Sequence, residues 1–212
     1  MERFIYIADL LGTVVFAITG AVSGVKLKLD LLGVVVFGCT VGVGGGILRD
    51  TIIGATPVAV LGDENYLLAC IITGVTVFFI AGKLNDHDRI IRVCDAFGLG
   101  IFTALGVNKA VLFGLGPVGI VLCGVLSAVG GGMLRDVMAR KVPDILVSDF
   151  YATASLLGGV FFLLLRGFIT GGWLAFLLVS ALVTAIRLLA MALHLQLPSA
   201  NQCSGHSEKS AR

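Results

Sequence analysis

Gly44-Gly45-Gly46-Ile47-Leu48-Arg49-Asp50 and Gly130-Gly131-Gly132-Met133-Leu134-Arg135-Asp136 are two copies of one pattern, the second 86 residues after the first. Toward the N-terminus the same spacing joins Gly38 to Gly124, Gly33 to Gly119, Gly20 to Gly106, and Phe16 to Phe102. It also joins Asp9-Leu-Leu-Gly12 to Asp95-Ala-Phe-Gly98. Toward the C-terminus it joins Pro57 to Pro143 and Asp63 to Asp149. Every pair keeps one offset, so the sequence predicts two halves with no insertion between them. Similarity held in register over such a stretch marks a duplicated structural unit.

The surroundings of the motif are apolar. Of 212 residues, 58% are hydrophobic and 13% charged, and the mean hydropathy is +1.05. A soluble domain carries roughly a quarter charged residues, so this chain has too few to coat a globule in water. A soluble enzyme and a disordered chain are excluded on that ground, and a net charge of +2 gives no reason for a nucleic-acid partner. The 29 glycines are unusual for a helical protein, since each weakens a helix unless packing or a bend requires it.

Spanning a bilayer takes ~20 mostly apolar residues per helix. Seven candidate spans occur, at 5–25, 31–53, 66–82, 95–114, 117–138, 150–166 and 173–193. The sequence therefore predicts an all-α membrane protein with seven transmembrane helices: a first three-helix repeat over 5–82, a second over 95–168, and a seventh helix at 173–193. Residues 198–212 read as a disordered polar tail. The weak Glu2-Arg3 flank and the internal copy of the first span argue against a cleaved signal peptide. Lys26, Lys28, Lys83, Arg89, Arg92, Arg140 and Lys141 fall on the side of the C-terminus, against Arg3 and Arg166 opposite. The N-terminus is then expected outside and the C-terminus in the cytoplasm, for a multi-pass protein of the cell (inner) membrane.

Three spans per half is an odd number, so the second half enters the membrane upside down. Such inverted repeats belong to transporters and channels, with the pathway at the repeat interface near the midplane. The glycine triplets Gly44 to Gly46 and Gly130 to Gly132 fall in the second and fifth spans. They predict a kink or unwound turn lining a permeation path, which lipid tolerates only beside protein or a water-filled cavity. Close helix packing through small residues is the other reading.

Arg49, Asp50, Arg135 and Asp136 lie at the edge of the hydrocarbon, where a charge costs ~2.5–3.5 kcal/mol, so they are expected to face inward and pair. Neighbours on a helix diverge, which argues against Arg49 pairing with Asp50. Depth points instead to Asp9–Arg49 and Asp95–Arg135 pairs. Asp50 and Asp136 are left to cap backbone or to meet ions. Lys109 breaks the symmetry, because its counterpart is Ser23; it either snorkels to the outer interface or stands in the pathway. Arg187 and His194 are expected to reach the cytoplasmic headgroups, and Trp173 to anchor at an interface. Cys39, Cys70, Cys94, Cys123 and Cys203 form no metal or disulfide motif. His87, His194 and His206 join no catalytic set, so neither a metal, a cofactor nor an enzyme activity is expected.

Seven spans, an inverted three-plus-three repeat and the doubled Gly-Gly-Gly-x-x-Arg-Asp resemble the prokaryotic trimeric intracellular cation (TRIC) channels, over residues 5–193. The resemblance implies a homotrimer in membrane lipid with one pore per protomer, permeable to the monovalent cations K⁺ and Na⁺. It implies gating at the glycine kinks of the second and fifth helices, and it places Lys109 at the pore. The same sequence family is labelled glycine transporter in some bacteria, so a carrier of small zwitterions such as glycine is the alternative.

Overall fold

A computed structural model describes residues 2–83, 86–147, 150–167 and 172–193. Among them every regular element is helical. In order these are α1 (Glu2–Lys26), α2 (Leu31–Ile53), α3 (Ala59–Gly62), α4 (Asn65–Ile80), a 3₁₀ turn (Ala81–Lys83), α5 (His87–Leu112), α6 (Pro117–Met138), α7 (Asp144–Val147), α8 (Tyr151–Leu165) and α9 (Gly172–Ala192). Five of them, α1, α2, α5, α6 and α9, are long and apolar enough to cross a bilayer. The apolar helices α4 and α8 have 16 and 15 residues, about 24 and 22 Å at 1.5 Å per residue. The chain is a multi-pass, all-helical membrane protein.

Two features depart from the sequence expectation. α5 begins eight residues before 95, because Asp86 caps it by accepting a hydrogen bond from the Arg89 amide at 2.9 Å. The polar turns carrying His87, Asp88, Arg89 and Arg92 thus extend the helix where a loop was expected. The one-turn helices α3 and α7 sit inside the connections that follow Pro57 and Pro143, where no element was anticipated. Asp149, Asn85, His194, Cys203, His206 and the tail at 198–212 lie outside the described residues.

α1, α2, α5 and α6 form an inner group in which α1 packs on α5 and α2 on α6. α4 rests on α1 and α2, α8 on α5 and α6, and α9 on α5 and α8. The contacts between the halves are reciprocal. A Cβ on Gly12 would meet Phe102, and one on Gly98 would meet Phe16; these two rings stack at 5.1 Å with a 14° interplanar angle. A Cβ on Gly131 would fall 2.6 Å from the Val41 carbonyl oxygen, and one on Gly45 would strike that of Ser127, the counterpart of Val41. Paired contacts of this kind, i with j+86 and i+86 with j, arise when two like segments are related by a two-fold axis.

Helix ends repeat as well. The amides of Ala55 and Lys141 donate to the carbonyls of Asp50 and Asp136, at 2.8 and 2.9 Å. Those of Leu29 and Leu115 donate to Gly24 and Ala110, at 3.1 and 3.0 Å. Both pairs are helix-terminating turns with one residue in the left-handed region. Gly54 and Gly114 supply it in one copy, while Arg140 and Lys28 adopt it in the other.

The single offset fails at the third helix of each half. A Cβ on Gly74 of α4 would meet Val35, and one on Gly159 of α8 would meet Val121, the counterpart of Val35. Gly159 stands 85 residues after Gly74, so α8 runs one residue ahead of the register that holds through α6. Tyr66 and Tyr151 become counterparts by the same shift.

Candidate functional site: two cavities over buried arginine–aspartate networks

Both glycine triplets lie in unbroken α-helix. The expected unwound turn is therefore absent, and every glycine of the triplets except Gly46 has a packing job: a Cβ on Gly44 would lie 2.5 Å from Leu134, one on Gly130 3.1 Å from Leu48 and 3.2 Å from the Gly45 Cα. Removing side chains lets α2 and α6 cross with backbones nearly touching, the use small residues have where lipid gives helices no hydrophobic drive to associate. Gly132 does likewise under Tyr151, whose hydroxyl oxygen would be 2.5 Å from its Cβ.

One turn beyond each triplet stands a buried arginine. Arg49 Nη2 lies 3.2 Å from Asp9 Oδ2 on α1, and Arg135 Nη1 lies 2.6 Å from Asp95 Oδ1 on α5. Each arginine also bonds its own neighbour, Arg49 Nε to Asp50 Oδ1 at 2.8 Å and Arg135 Nε to Asp136 Oδ1 at 2.9 Å. This corrects the expectation that adjacent residues cannot pair. The guanidinium fork has five donors in fixed directions, so Nε folds back to the next residue while an Nη reaches across to another helix. The second oxygen of each aspartate caps backbone: Asp50 Oδ2 accepts from the Ala59 amide at 3.0 Å, and Asp136 Oδ2 from the Asp144 amide at 2.9 Å. Each buried acid thereby ties down the connection carrying α3 or α7.

The two networks open into cavities at opposite ends of α1. The first, about 270 Å³, is lined by Glu2, Tyr6, Asp9, Arg49, Tyr66 and Lys109 among others. The second, about 400 Å³, is lined by Ser23, Arg135, Asp136, Asp144 and Arg187 with a charged rim that includes Lys26. Along α1 and α5 the stacked Phe16 and Phe102 lie between them, and the glycine crossing of α2 and α6 closes the same level.

Lys109 does not snorkel. Its Nζ stands 2.7 Å from Asp50 Oδ1, with the side chain 27% exposed and that of Asp50 at 1%. Asp50 Oδ1 thus receives two cationic donors, from Arg49 and Lys109. Arg187 is not at the headgroups as expected. It is buried, with its guanidinium carbon 5.0 Å from the Tyr151 ring centroid, a cation–π contact. α9 reaches this position because Gly100 on α5 is bare; a Cβ there would lie 2.5 Å from the Ser180 carbonyl oxygen. Trp173 is 54% exposed near the start of α9.

Sequence reading missed four contributors. Tyr66 donates to Asp9 Oδ2 at 3.4 Å, and Tyr151 takes the corresponding place; the signal was an offset of 85 rather than 86. Asp144 Oδ2 lies 3.5 Å from Arg135 Nη2, and its counterpart Val58 gave no hint. Burial, reinforced by the Asp136 carboxylate, raises the Asp144 carboxyl above the ordinary carboxylate range. The fourth is Arg187. Among the described residues, no three His, Cys, Asp or Glu stand together as metal ligands.

The family model described as "Glycine transporter" matches residues 6–82 and 92–167, one block in each half. The chain belongs to this family. It is 38% identical over 198 residues to a "UPF0126 membrane protein" of Vibrio cholerae, covering 92% of this chain and 82% of that one. It is 36% identical over 157 residues to the "UPF0126 inner membrane protein YadS" of Escherichia coli, covering 74% and 76%. Among solved structures it is similar to the TRIC trimeric intracellular cation channel orthologue from Rhodobacter sphaeroides, with a TM-score of 0.87, 34% identity, and coverage of 91% and 99%. A prokaryotic TRIC channel in 0.5 M KCl gives 0.87, 30%, 93% and 100%. The family description and the structural likeness name a transporter and a channel on one fold.

Proposed function

We propose that the chain is a monovalent cation channel, permeable to K⁺ and Na⁺, acting as a homotrimer with a separate path through each protomer. The observation that carries this reading is the pair of cavities, each reaching a buried arginine–aspartate network, at opposite ends of one four-helix core, in a chain similar over nine-tenths of its length to cation channels. The five long helices and the shorter α4 and α8 cross the bilayer, as two inverted three-helix units over 5–82 and 95–168 followed by a seventh helix. The Lys and Arg distribution sets the first cavity outside and the second in the cytoplasm. The bare crossing of α2 and α6 at Gly44, Gly45, Gly130 and Gly131 is where the path opens, because backbones in contact can slide without repacking side chains. Lining charges that nearly cancel give modest selectivity among monovalent cations.

Recording of the purified full chain in planar bilayers under a KCl gradient tests this. Unitary currents reversing near the K⁺ potential are expected; silence in bilayers where the same preparation shows uptake activity contradicts it. The second reading is a carrier for glycine. It is favoured by the family description and by the closed level between the cavities, which suits alternating access. Counterflow of labelled glycine in proteoliposomes separates the two, because a simple pore cannot produce it.

A further inference from the structure

We propose that the second cavity holds a monovalent cation between the Ser23 hydroxyl oxygen and Asp136 Oδ1, at the place where the Lys109 ammonium stands in the first. The proposal rests on reading the cavities as the ends of a cation path and adds a binding site to it. Ser23 and Lys109 are counterparts in the 86-residue register, as are Asp136 and Asp50. The reciprocal contacts of Phe16 with Phe102, and of Gly45 and Gly131 with the carbonyls of Ser127 and Val41, carry that register into three dimensions. The first site therefore contains, on a four-carbon tether, a group of the size and charge of a bare K⁺ or ammonium ion. In the second the tether is missing, and Ser23 and Asp136 face the same 400 Å³ cavity.

The local chemistry suits a cation. Ser23 spends its proton on the Thr19 carbonyl at 2.8 Å, which leaves its oxygen to act as an acceptor. Asp136 Oδ1 receives one cationic donor, from Arg135, where Asp50 Oδ1 receives two. The charge tally agrees. The first network sets Asp9 and Asp50 against Arg49 and Lys109 and is neutral. The second sets Asp95, Asp136 and Asp144 against Arg135 and Arg187, leaving one negative charge. The unmatched charge falls to Asp144, half-exposed at the cavity, and one monovalent cation balances it. The other cations around this cavity do not fill the place: Lys26 is held by Asp88, while Arg92 and Lys141 are exposed at the rim, where water and salt screen them.

The test uses the full chain in detergent, melted in KCl or in N-methyl-D-glucamine chloride at equal ionic strength. For the wild type a saturating rise in Tm with K⁺ is expected, since a ligand bound only by the folded state stabilises it. Ser23→Ala shifts the K⁺ midpoint several-fold higher. Ser23→Lys supplies its own ammonium and melts at a K⁺-independent temperature; if it fails to fold, Ser23→Ala decides. A wild-type Tm indifferent to K⁺, or a Ser23→Ala midpoint equal to the wild type's, overturns the site. In bilayers Ser23→Lys lowers unitary conductance at least tenfold. The melting result does not depend on current: a wild type that is silent in bilayers but stabilised by K⁺ through Ser23 refutes conduction and keeps the site.

Discussion

The Arg49 and Arg135 sites begin from the same Gly-Gly-Gly-x-x-Arg-Asp and share a guanidinium, two carboxylates, a capped connection and a tyrosine. They differ in what is added. The first receives Lys109 from α5, so its carboxylates are matched and an ammonium stands against Asp50 beside the cavity. The second receives Asp144 from α7 and Arg187 from α9 and opens into a larger cavity with a more polar lining. Duplication fixed the frame, and a few residues outside the repeated motif set the charge of each end. In the proposed inverted arrangement those differences become differences between the two faces of the membrane.

The largest expected effects come from breaking what the two sites share. Arg49→Ala or Arg135→Ala leaves buried carboxylates without their partner, a loss of about 3–5 kcal/mol for a buried pair. Thermal melting in detergent is expected to show Arg135→Ala as the worse of the two, because Lys109 still stands beside Asp50 when Arg49 is gone. Equal losses would mean that Lys109 does not compensate its site. Next come the glycines at the crossing. Gly45→Ala and Gly131→Ala each drive a methyl into a backbone carbonyl of the facing helix, with a cost of about 1–3 kcal/mol for overpacking. Gly62→Ala, with nothing within 4 Å, is the control and is expected to melt like the wild type.

A smaller effect distinguishes the second site by pH. The Asp144 carboxyl binds its proton more tightly in the folded chain than in the unfolded one. Between the ordinary carboxylate range and that raised value the folded state holds more protons, so stability falls as pH rises through the window. Asp144→Asn is expected to flatten this slope, as read from Tm between pH 4 and 7 on the order of the usual carboxylate range; an unchanged slope would assign it to another group. The smallest effect belongs to Lys26→Ala at the rim of the second cavity, where an exposed ion pair with Asp88 contributes about 1 kcal/mol or less.

Much of this comparison was legible in the sequence. Periodic apolar runs gave the long helices, and the constant offset placed Asp9 with Arg49 and Asp95 with Arg135 at matching depth. The rest was hidden for physical reasons. Whether three glycines unwind a helix or let two helices touch depends on what faces them, and only the packed partner, Leu134 or Leu48, decides it. Tyr66 and Tyr151 escaped because one residue is lost before α8, and a search at fixed offset steps past them. Gly54 and Gly114 advertise their turns, whereas Arg140 and Lys28 make the same turns without the residue that signals them. Arg187 was misplaced because its position depends on Tyr151, on another helix 36 residues earlier in the chain.

The central claim is that one tethered ammonium makes the two ends unlike. Lys109→Ser, which gives the first site the residue that the second carries at this register, tests it most directly by unitary conductance in planar bilayers under symmetric KCl. The account predicts a several-fold higher conductance than the wild type, with Tm acquiring a stronger dependence on K⁺. A Lys109→Ser protein that folds and conducts like the wild type would contradict it.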